Sequence, residues 1–471
     1  MGLAFHIENF GCRAARADGE AVAERLRFAG HSDTQPATAD VVVVNTCSVT
    51  AEADREARVY IRRTNRNNPA ARIVVTGCYA QRAPQELALL PGVAAVVGNS
   101  HKALAPDIAM RVASHAINPV AQPADPAFVD LRVLAARPAP IFVDDRFAHS
   151  FLEEAQVIPG AQTRPNLKIQ EGCGNRCTFC VIPQTRGGSR SLPAEKVLAQ
   201  VRGFVAAGGR ELVFSGINLG RWGRDLPPEN CVRSTLARPT LANLVRQVFA
   251  ETDLPRLRLS SIEPMDWDSD LIGLLRDFSG HRLARHVHLP LQSGSDSVLR
   301  RMHRRYRPWH YAQKVQALFD AAGPELTLGA DVMLGFPGET GHEFAETLHL
   351  IQQLPFGYLH LFPFSPRPGT PGWDLHRDHP VPVPVVEDRM RTLRALAREK
   401  TQAHRIAAMG RVLDGITLHT PEPLRLQGRT TLLSDNFLPV VIEGTLPANL
   451  QVRVRITGMD TSDTLTACLE S

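Results

Sequence analysis

The chain has 471 residues, 44% of them hydrophobic, and its 53 basic and 48 acidic side chains leave a net charge of +5. That length lets two or three domains each bury a core without added staples, and the near balance of charge permits a nucleic-acid partner without announcing one. The opening MGLAFHIENFGC lacks the basic start and apolar run of a signal peptide, and no apolar stretch approaches the roughly 18 residues of a membrane span, so the expected location is the cytoplasm, with no membrane contact. In that reducing compartment the eight cysteines read as metal ligands, catalytic thiols or buried hydrophobes rather than as a disulfide framework.

The elements of the first hundred residues repeat one theme. Phe5 to Phe10, Val41 to Val44 and Ile73 to Val75 are short strand-like runs, and each leads directly into a cysteine: Gly11-Cys12, Asn45-Thr46-Cys47 and Thr76-Gly77-Cys78. Helix-like stretches, Glu52 to Arg63 and Gln81 to Leu90, follow the second and third. The pattern predicts an α/β domain with a parallel sheet over residues 1–102. Ligands gather beyond the carboxyl ends of such strands, so the three thiols are placed to converge.

Residues 103–162 are rich in Ala and Pro and read as a connecting segment. From 163 to 400 strand and helix alternate again, with strands expected at Leu167–Gln170, Glu211–Phe214, Arg256–Ser260, His286–Leu289, Leu326–Met333 and Tyr358–Phe362. Six such units predict a parallel, partial (β/α)6 barrel whose site lies at the strand carboxyl ends. A helix-like run, Val386 to Ala408, hands over to an all-β pattern within residues 401–471. Strands are expected there at Val412–Leu418, Leu424–Gln427, Phe437–Ile442, Gln451–Ile456 and Thr464–Leu469, which suits a small five-stranded barrel.

The segment Gly172-Cys173-Gly174-Asn175-Arg176-Cys177-Thr178-Phe179-Cys180 carries the strongest chemical signal. A CxxxCxxC run directly after the first strand of the barrel can hold three irons of a 4Fe-4S cluster and leave the fourth open to a substrate. A zinc ribbon would normally want a fourth His or Cys nearby, and none is present. Cys231 and Cys468 have neither partner nor motif and read as unpaired thiols, and the histidines show no HxxxH-like metal spacing.

With Lys168-Ile169-Gln170-Glu171 before it and Val181-Ile182-Pro183-Gln184-Thr185-Arg186-Gly187 after it, this motif resembles the methylthiotransferases of the radical S-adenosylmethionine (SAM) superfamily. The resemblance extends to Phe10-Gly11-Cys12-Arg13, Asn45-Thr46-Cys47-Ser48-Val49-Thr50 and Thr76-Gly77-Cys78-Tyr79-Ala80-Gln81, and to the loops Gly335–Thr340 and Phe364–Thr370. It covers nearly the whole chain apart from the connecting segment. It implies an N-terminal domain with an auxiliary 4Fe-4S cluster on Cys12, Cys47 and Cys78. It also implies a central radical SAM barrel with a second 4Fe-4S cluster on Cys173, Cys177 and Cys180, and a C-terminal TRAM-like β-barrel.

SAM is then the cosubstrate, bound at the open iron, and an electron-donor protein is a further partner. Polar groups at the strand ends are the candidates to place SAM: Ser215, Gly216, Asn218, Ser261, Glu263, Gln292, Ser293 and Asp331. One departure from the family pattern is Ala15, where an Asn usually stands three residues beyond the first cysteine; it touches the local loop geometry or an outer hydrogen bond.

The wording around Cys12, Cys47 and Cys78, with the Gly98-Asn99-Ser100 that follows, is most similar to the branch that modifies threonylcarbamoyladenosine in tRNA. The alternatives within the family are isopentenyladenosine in tRNA and a ribosomal-protein aspartate. Outside it stand an iron-sulfur electron-transfer or redox-sensing protein, and an RNA-binding protein with structural zinc. The threonylcarbamoyl carboxylate calls for a cation, for which Arg186 and Arg367 are the candidates, and Arg425, Arg429, Arg453 and Arg455 are the barrel cations available to RNA phosphates.

Overall fold

The computed structural model describes residues 2–114, 138–145, 147, 163–227 and 239–470. The expectations placed on Cys231 and on most of the 103–162 segment fall outside them.

The N-terminal sheet has the order β2-β1-β3-β4-β5-β6, built from Ala4–Asn9 (β1), Ser32–Asp33 (β2), Val41–Thr46 (β3), Arg72–Gly77 (β4), Val93–Gly98 (β5) and Ile141–Phe142 (β6). Every pairing is parallel. The valines of β3 explain why a continuous apolar run makes a central strand. Val42 and Val44 enter one core with Tyr60 and Ile61, while Val41 and Val43 enter the other with Phe5, Leu26 and Ile108. The order reverses around β1, so the crevice at the carboxyl ends of β1 and β3 is a topological switch point. Cys12 opens the helix Arg13–Phe28 (α1), Cys47 lies just before Ala51–Asn67 (α2), and Cys78 opens Cys78–Arg82 (α3).

Seven strands follow in the central domain: Asn166–Glu171 (β7), Arg190–Ser191 (β8), Glu211–Gly216 (β9), Arg256–Leu259 (β10), His286–His288 (β11), Thr327–Leu334 (β12) and Phe356–Pro363 (β13). β8 is a short antiparallel addition to β7, and the other six form a parallel arc. The arc is joined in its middle by the Leu257–Leu283 bridge and by the Ile262 amide donating to the His288 carbonyl. Among the described residues no pairing links β13 back to β7, so the barrel is open on that side. One large core, from Leu167 through Phe214, Leu257 and Val332 to Leu393, lies between the arc and its helices.

The C-terminal strands Val412–Thr417 (β14), Arg429–Ser434 (β15), Pro439–Glu443 (β16), Gln451–Met459 (β17) and Leu465–Leu469 (β18) close a five-stranded barrel. One expected strand is corrected. Leu424–Gln427 is not a strand but part of a short helix, Glu422–Leu426, and the second strand of the barrel begins at Arg429. Pro423 in the first turn and Gly428 at φ +71° just past the end are helix start and stop signals that outweigh the Leu-Arg-Leu alternation.

This small barrel caps the amino-terminal ends of the central-domain strands. The Phe437 ring stacks on His286 at 4.2 Å and lies 5.3 Å under the Arg258 guanidinium, which also donates to the carbonyls of Ser434 and Asp435. No helix among the described residues is long and apolar enough to cross a membrane.

Candidate functional site

The first cysteine set sits at the switch point. Gly11, at φ +109°, lets the chain turn against Cys47, while Cys47 and Cys78 are buried and Cys12 is exposed. As a free thiol Cys47 is pushed up to about 12, by burial first and then by the neighbouring Cys78 and Cys12. A metal that takes thiolates removes that penalty by replacing the protons.

Ala15 does not leave the loop untethered. Its carbonyl accepts from the Asn45 side chain, which also donates to Asn9, so the backbone supplies an anchor near the cysteines.

Around Cys78 the donors are explicit. Asn99 Nδ2 and Arg186 Nε each lie 3.3 Å from its Sγ. Arg186 belongs to a fully enclosed charge network with Asp18 (2.9 Å) and Glu171 (2.5 Å), to which Lys102 and Lys168 also bond. Burial would raise both carboxyls, but the three cations outweigh it and hold Asp18 and Glu171 below the usual range. Three cations face two carboxylates, and the surplus positive charge points at Cys78. That is the complement a set of bound thiolates requires.

The second set begins where β7 ends. Gly172, at φ +70°, passes so close to the Gly187–Gly188 backbone that a β-carbon would stand 2.0 Å from the Gly188 carbonyl oxygen. Cys173 Sγ is approached by the Asn175 amide at 3.4 Å and by Asn218 Nδ2 at 3.6 Å, and Arg304 Nη1 donates to Cys177 Sγ at 3.3 Å. Burial pushes the Cys180 thiol up to about 12. Arg304 is paired with Glu263 and bonded to Tyr306, and a small cavity lined by Asn175, Cys177, Glu263 and Arg304 opens beside the loop. Both cysteine sets thus combine soft donors with a buried guanidinium and an amide aimed at sulfur, which fits iron-sulfur clusters.

The two sets share an interface. The short helix Ile182–Arg186 follows Cys180 immediately and delivers Arg186 to Cys78, while Asn99 donates to the Thr185 carbonyl at 2.8 Å. On the other flank the loop after β13 docks on α2: Ser365 Oγ accepts from the Ala51 amide, and Arg367 pairs with Asp54 at 2.6 Å.

The remaining candidates divide. Asn218 and Glu263 lie at the second cysteine set, and Asn218 keeps a buried carbonyl oxygen with no partner. Gly216 abuts the Gln170 side chain, which in turn holds the Asn218 amide. Ser215 is buried against the Leu167 carbonyl, and Ser261 is half-buried at the end of the third strand. Gln292 adopts φ +60° and has a buried, unpartnered Oε1. Ser293 turns away to Thr347 and Ser295, and Asp331 faces His288 and His360.

Arg186 and Arg367 are both buried in ion pairs, with Arg186 Nη2 and Arg367 Nε and Nη2 left without a hydrogen-bond partner. Glu339 of the Gly335–Thr340 loop bonds its own Gly335 amide and Arg389, and Thr340 and Glu343 form a capping box for Gly341–Gln353. Arg425, Arg429, Arg453 and Arg455 each stand beside an acid, respectively Glu422, Glu443, Asp414 and Glu470. Cations without a carboxylate partner among the described residues lie elsewhere: Arg394 and Arg398 on the helix Val383–Ala407 line a groove of about 660 Å³ with Leu359, Leu361, Arg405 and the acids Glu399 and Asp463.

The sequence reading missed Arg304, Asn99 as a donor to sulfur, and the His288 and His360 pair. The only local signals were the basic run His303–Arg307 and the alternation His286-Val287-His288 in a strand.

Two family models match the chain. One, described as "Uncharacterized protein family UPF0004", spans residues 4–98, and the other, the Radical SAM superfamily, spans residues 167–351. The chain is 34% identical over 447 residues to the threonylcarbamoyladenosine tRNA methylthiotransferase MtaB of Bacillus subtilis (strain 168), with 94% of this chain and 90% of the relative covered. It is 32% identical over 458 residues to the protein of that name from Aquifex aeolicus (strain VF5), with 97% of this chain and all of the relative covered. Among solved structures it is similar to the radical S-adenosylmethionine methyltransferase TsrM from Kitasatospora setae with cobalamin and a 4Fe-4S cluster bound. The TM-score is 0.51 at 15% identity, with 79% of this chain and 77% of that one covered, a likeness of fold alone.

Proposed function

The chain belongs to the radical SAM methylthiotransferases, in the branch of the threonylcarbamoyladenosine tRNA enzymes, and from that premise we propose that it adds a methylthio group to C2 of N6-threonylcarbamoyladenosine beside the tRNA anticodon. Its cofactors are two 4Fe-4S clusters, with SAM as cosubstrate. Cys12, Cys47 and Cys78 hold the auxiliary cluster, and Cys173, Cys177 and Cys180 hold the other. The observation that carries this reading is the shared interface, in which the helix after Cys180 brings Arg186 onto Cys78. Both three-thiol sets follow strands of parallel sheets at their carboxyl ends, and Arg186 and Asn99 link one to the other.

A cluster with one open iron supplies the reductive cleavage of SAM to a 5'-deoxyadenosyl radical. The residues of this chain orient and exclude. Asn218 and Glu263, beside Cys173 and Cys177, are placed to position the cosubstrate, and Arg304 neutralises the anionic sulfur at Cys177. The open side of the arc between β13 and β7 admits a base that has left its stack, a step that an unstacked anticodon loop makes at low cost. The tRNA backbone finds its cations in the Arg394, Arg398 and Arg405 groove alongside β13 rather than on the acid-paired surface of the small barrel.

Metal and sulfide analysis with an assay for 5'-deoxyadenosine under a strong reductant tests the reaction class. Iron and sulfide in equal amounts with SAM cleavage are expected. Stoichiometric zinc without cleavage would refute it.

A further inference from the structure

Three inward-facing side chains on adjacent strands lie outside both cysteine sets. His288 Nε2 is 3.4 Å, and His360 Nδ1 3.3 Å, from the same Oδ1 of Asp331. Their strand neighbours Val287, Ala330 and Val332 enter the core between sheet and helices, and Leu359 and Leu361 pack against it, so alternation turns the three polar groups to the barrel lumen. Burial would raise the Asp331 carboxyl, but the bonds and charges of the two imidazoles hold it well below the ordinary carboxylate range. Tyr358 packs its ring 5.1 Å from that of His360 and 6.1 Å from that of His288, which fixes the pair from below.

The set is ordered on one side and open on the other. His288 Nδ1 is buried without a hydrogen-bond partner, whereas the His360 side chain is 63% exposed on β13, the strand that borders the barrel opening. With Nδ1 beside Asp331, Nε2 is the ring nitrogen of His360 left for a ligand. One step nearer the strand carboxyl ends, Gln292 is held at φ +60° by its amide on the Asp331 carbonyl and by the Met333 amide on its own carbonyl. A left-handed conformation is costly for a residue with a β-carbon, and it persists here with Oε1 buried and unpartnered. These are polar atoms set in place and left without a protein partner.

We propose that His288, Asp331, His360 and Gln292 form the binding site for the polar N6 substituent of the target adenosine, with His360 as the specificity-determining residue. This rests on the reading of the substrate as threonylcarbamoyladenosine. A threonylcarbamoyl group offers ureido N–H donors, a hydroxyl and a carboxylate. An imidazole anchored through Nδ1 offers Nε2 as acceptor when neutral and as donor when protonated. An apolar prenyl substituent satisfies none of these atoms, and a site built of hydrogen-bonding groups rejects an analogue that leaves them unpaired.

The test compares wild-type, His360→Phe and His360→Gln holoenzymes on tRNA carrying threonylcarbamoyladenosine and on tRNA from cells lacking that modification. KM and kcat are measured for each, with iron content as the check on folding. We expect His360→Phe to keep its iron, to raise KM for the modified tRNA by about tenfold or more, and to lose discrimination over bare adenosine by a similar factor; a polar Gln should restore part of it. Unchanged discrimination in His360→Phe, or an equal loss on both tRNAs, overturns the site while leaving the substrate reading intact. A wild-type enzyme that does not discriminate removes the substrate reading itself, and the site with it. Two imidazoles and a carboxylate within 4.8 Å of one another also suit a divalent ion. A metal equivalent beyond the cluster iron, retained by wild type and lost in His360→Phe, would overturn the proposal in favour of a metal site.

Discussion

A β-carbon on Gly11 would stand 2.5 Å from Cys47 Cβ and 2.9 Å from its Sγ, so any larger residue before Cys12 would displace Cys47. Gly11→Ala should therefore behave like the loss of a ligand. Reconstituted wild-type protein is expected to hold about eight irons, four per cluster. Cys12→Ala, Cys47→Ala, Cys78→Ala and Gly11→Ala should fall toward about four while SAM is still cleaved, whereas Cys173→Ala, Cys177→Ala and Cys180→Ala should abolish cleavage. Iron analysis paired with 5'-deoxyadenosine release reads both, and wild-type methylthiolation by the N-terminal variants would make those cysteines structural.

The charge network makes a second distinction. Asp18→Asn leaves one carboxylate facing three buried cations and should cost about 3 kcal/mol in denaturant unfolding of the interface. Arg186→Met leaves two acids facing two lysines, a balanced set, so its effect should appear as lost auxiliary iron with little change in stability. Cys12, Cys47 and Cys78 were legible because each follows a strand-like run within two or three residues, and Cys173, Cys177 and Cys180 because of their spacing. Arg304 was not, because its meeting with Cys177 joins positions 127 apart in sequence, and nothing local announces it.

At the level of elements, periodicity located three strands of the N-terminal sheet and the six of the central arc, but not Ser32–Asp33, Val93–Gly98 or Ile141–Phe142, which no cysteine follows. It failed at Leu424–Gln427, where four residues are too few for alternation to outvote a proline and a glycine. It was also silent on how the barrels meet. Phe437 sits in a turn at φ +68°, yet its ring closes the floor of the radical-domain arc against His286, Tyr358 and Arg258. Phe437→Ala should loosen that junction by on the order of 2 kcal/mol, seen as faster hydrogen exchange in β11 and β15 with unchanged iron content. Exchange unchanged in both strands would mean that the Arg285–Asp435 and Arg258 bonds hold the junction alone. The Thr340 and Glu343 capping box is a separate local device. Thr340→Ala should cost about 1 kcal/mol at the start of Gly341–Gln353, measurable by exchange in its first turn.

Across the whole molecule, the cysteine sets and the exposed Arg394 and Arg398 lie on different elements, the former at strand ends and the latter on the helix Val383–Ala407. The helices of the N-terminal domain pack on β7 and on the loop after β13, the small barrel closes the amino-terminal ends, and the helix Val383–Ala407 runs beside β13 at the open edge. Arg394→Glu with Arg398→Glu should weaken tRNA binding at least tenfold and flatten its salt dependence, with iron content unchanged, because each lost cation releases fewer counterions. The same reversal at Arg429 and Arg455, already paired with Glu443 and Glu470, should do less. The central claim is the substrate, and one assay tests it most directly. The reconstituted enzyme, SAM and reductant are offered tRNA with and without threonylcarbamoyladenosine, and the nucleosides are read by mass spectrometry. The account predicts a methylthio product on the threonylcarbamoylated tRNA alone; equal product on both, or product only on isopentenylated tRNA, would contradict it.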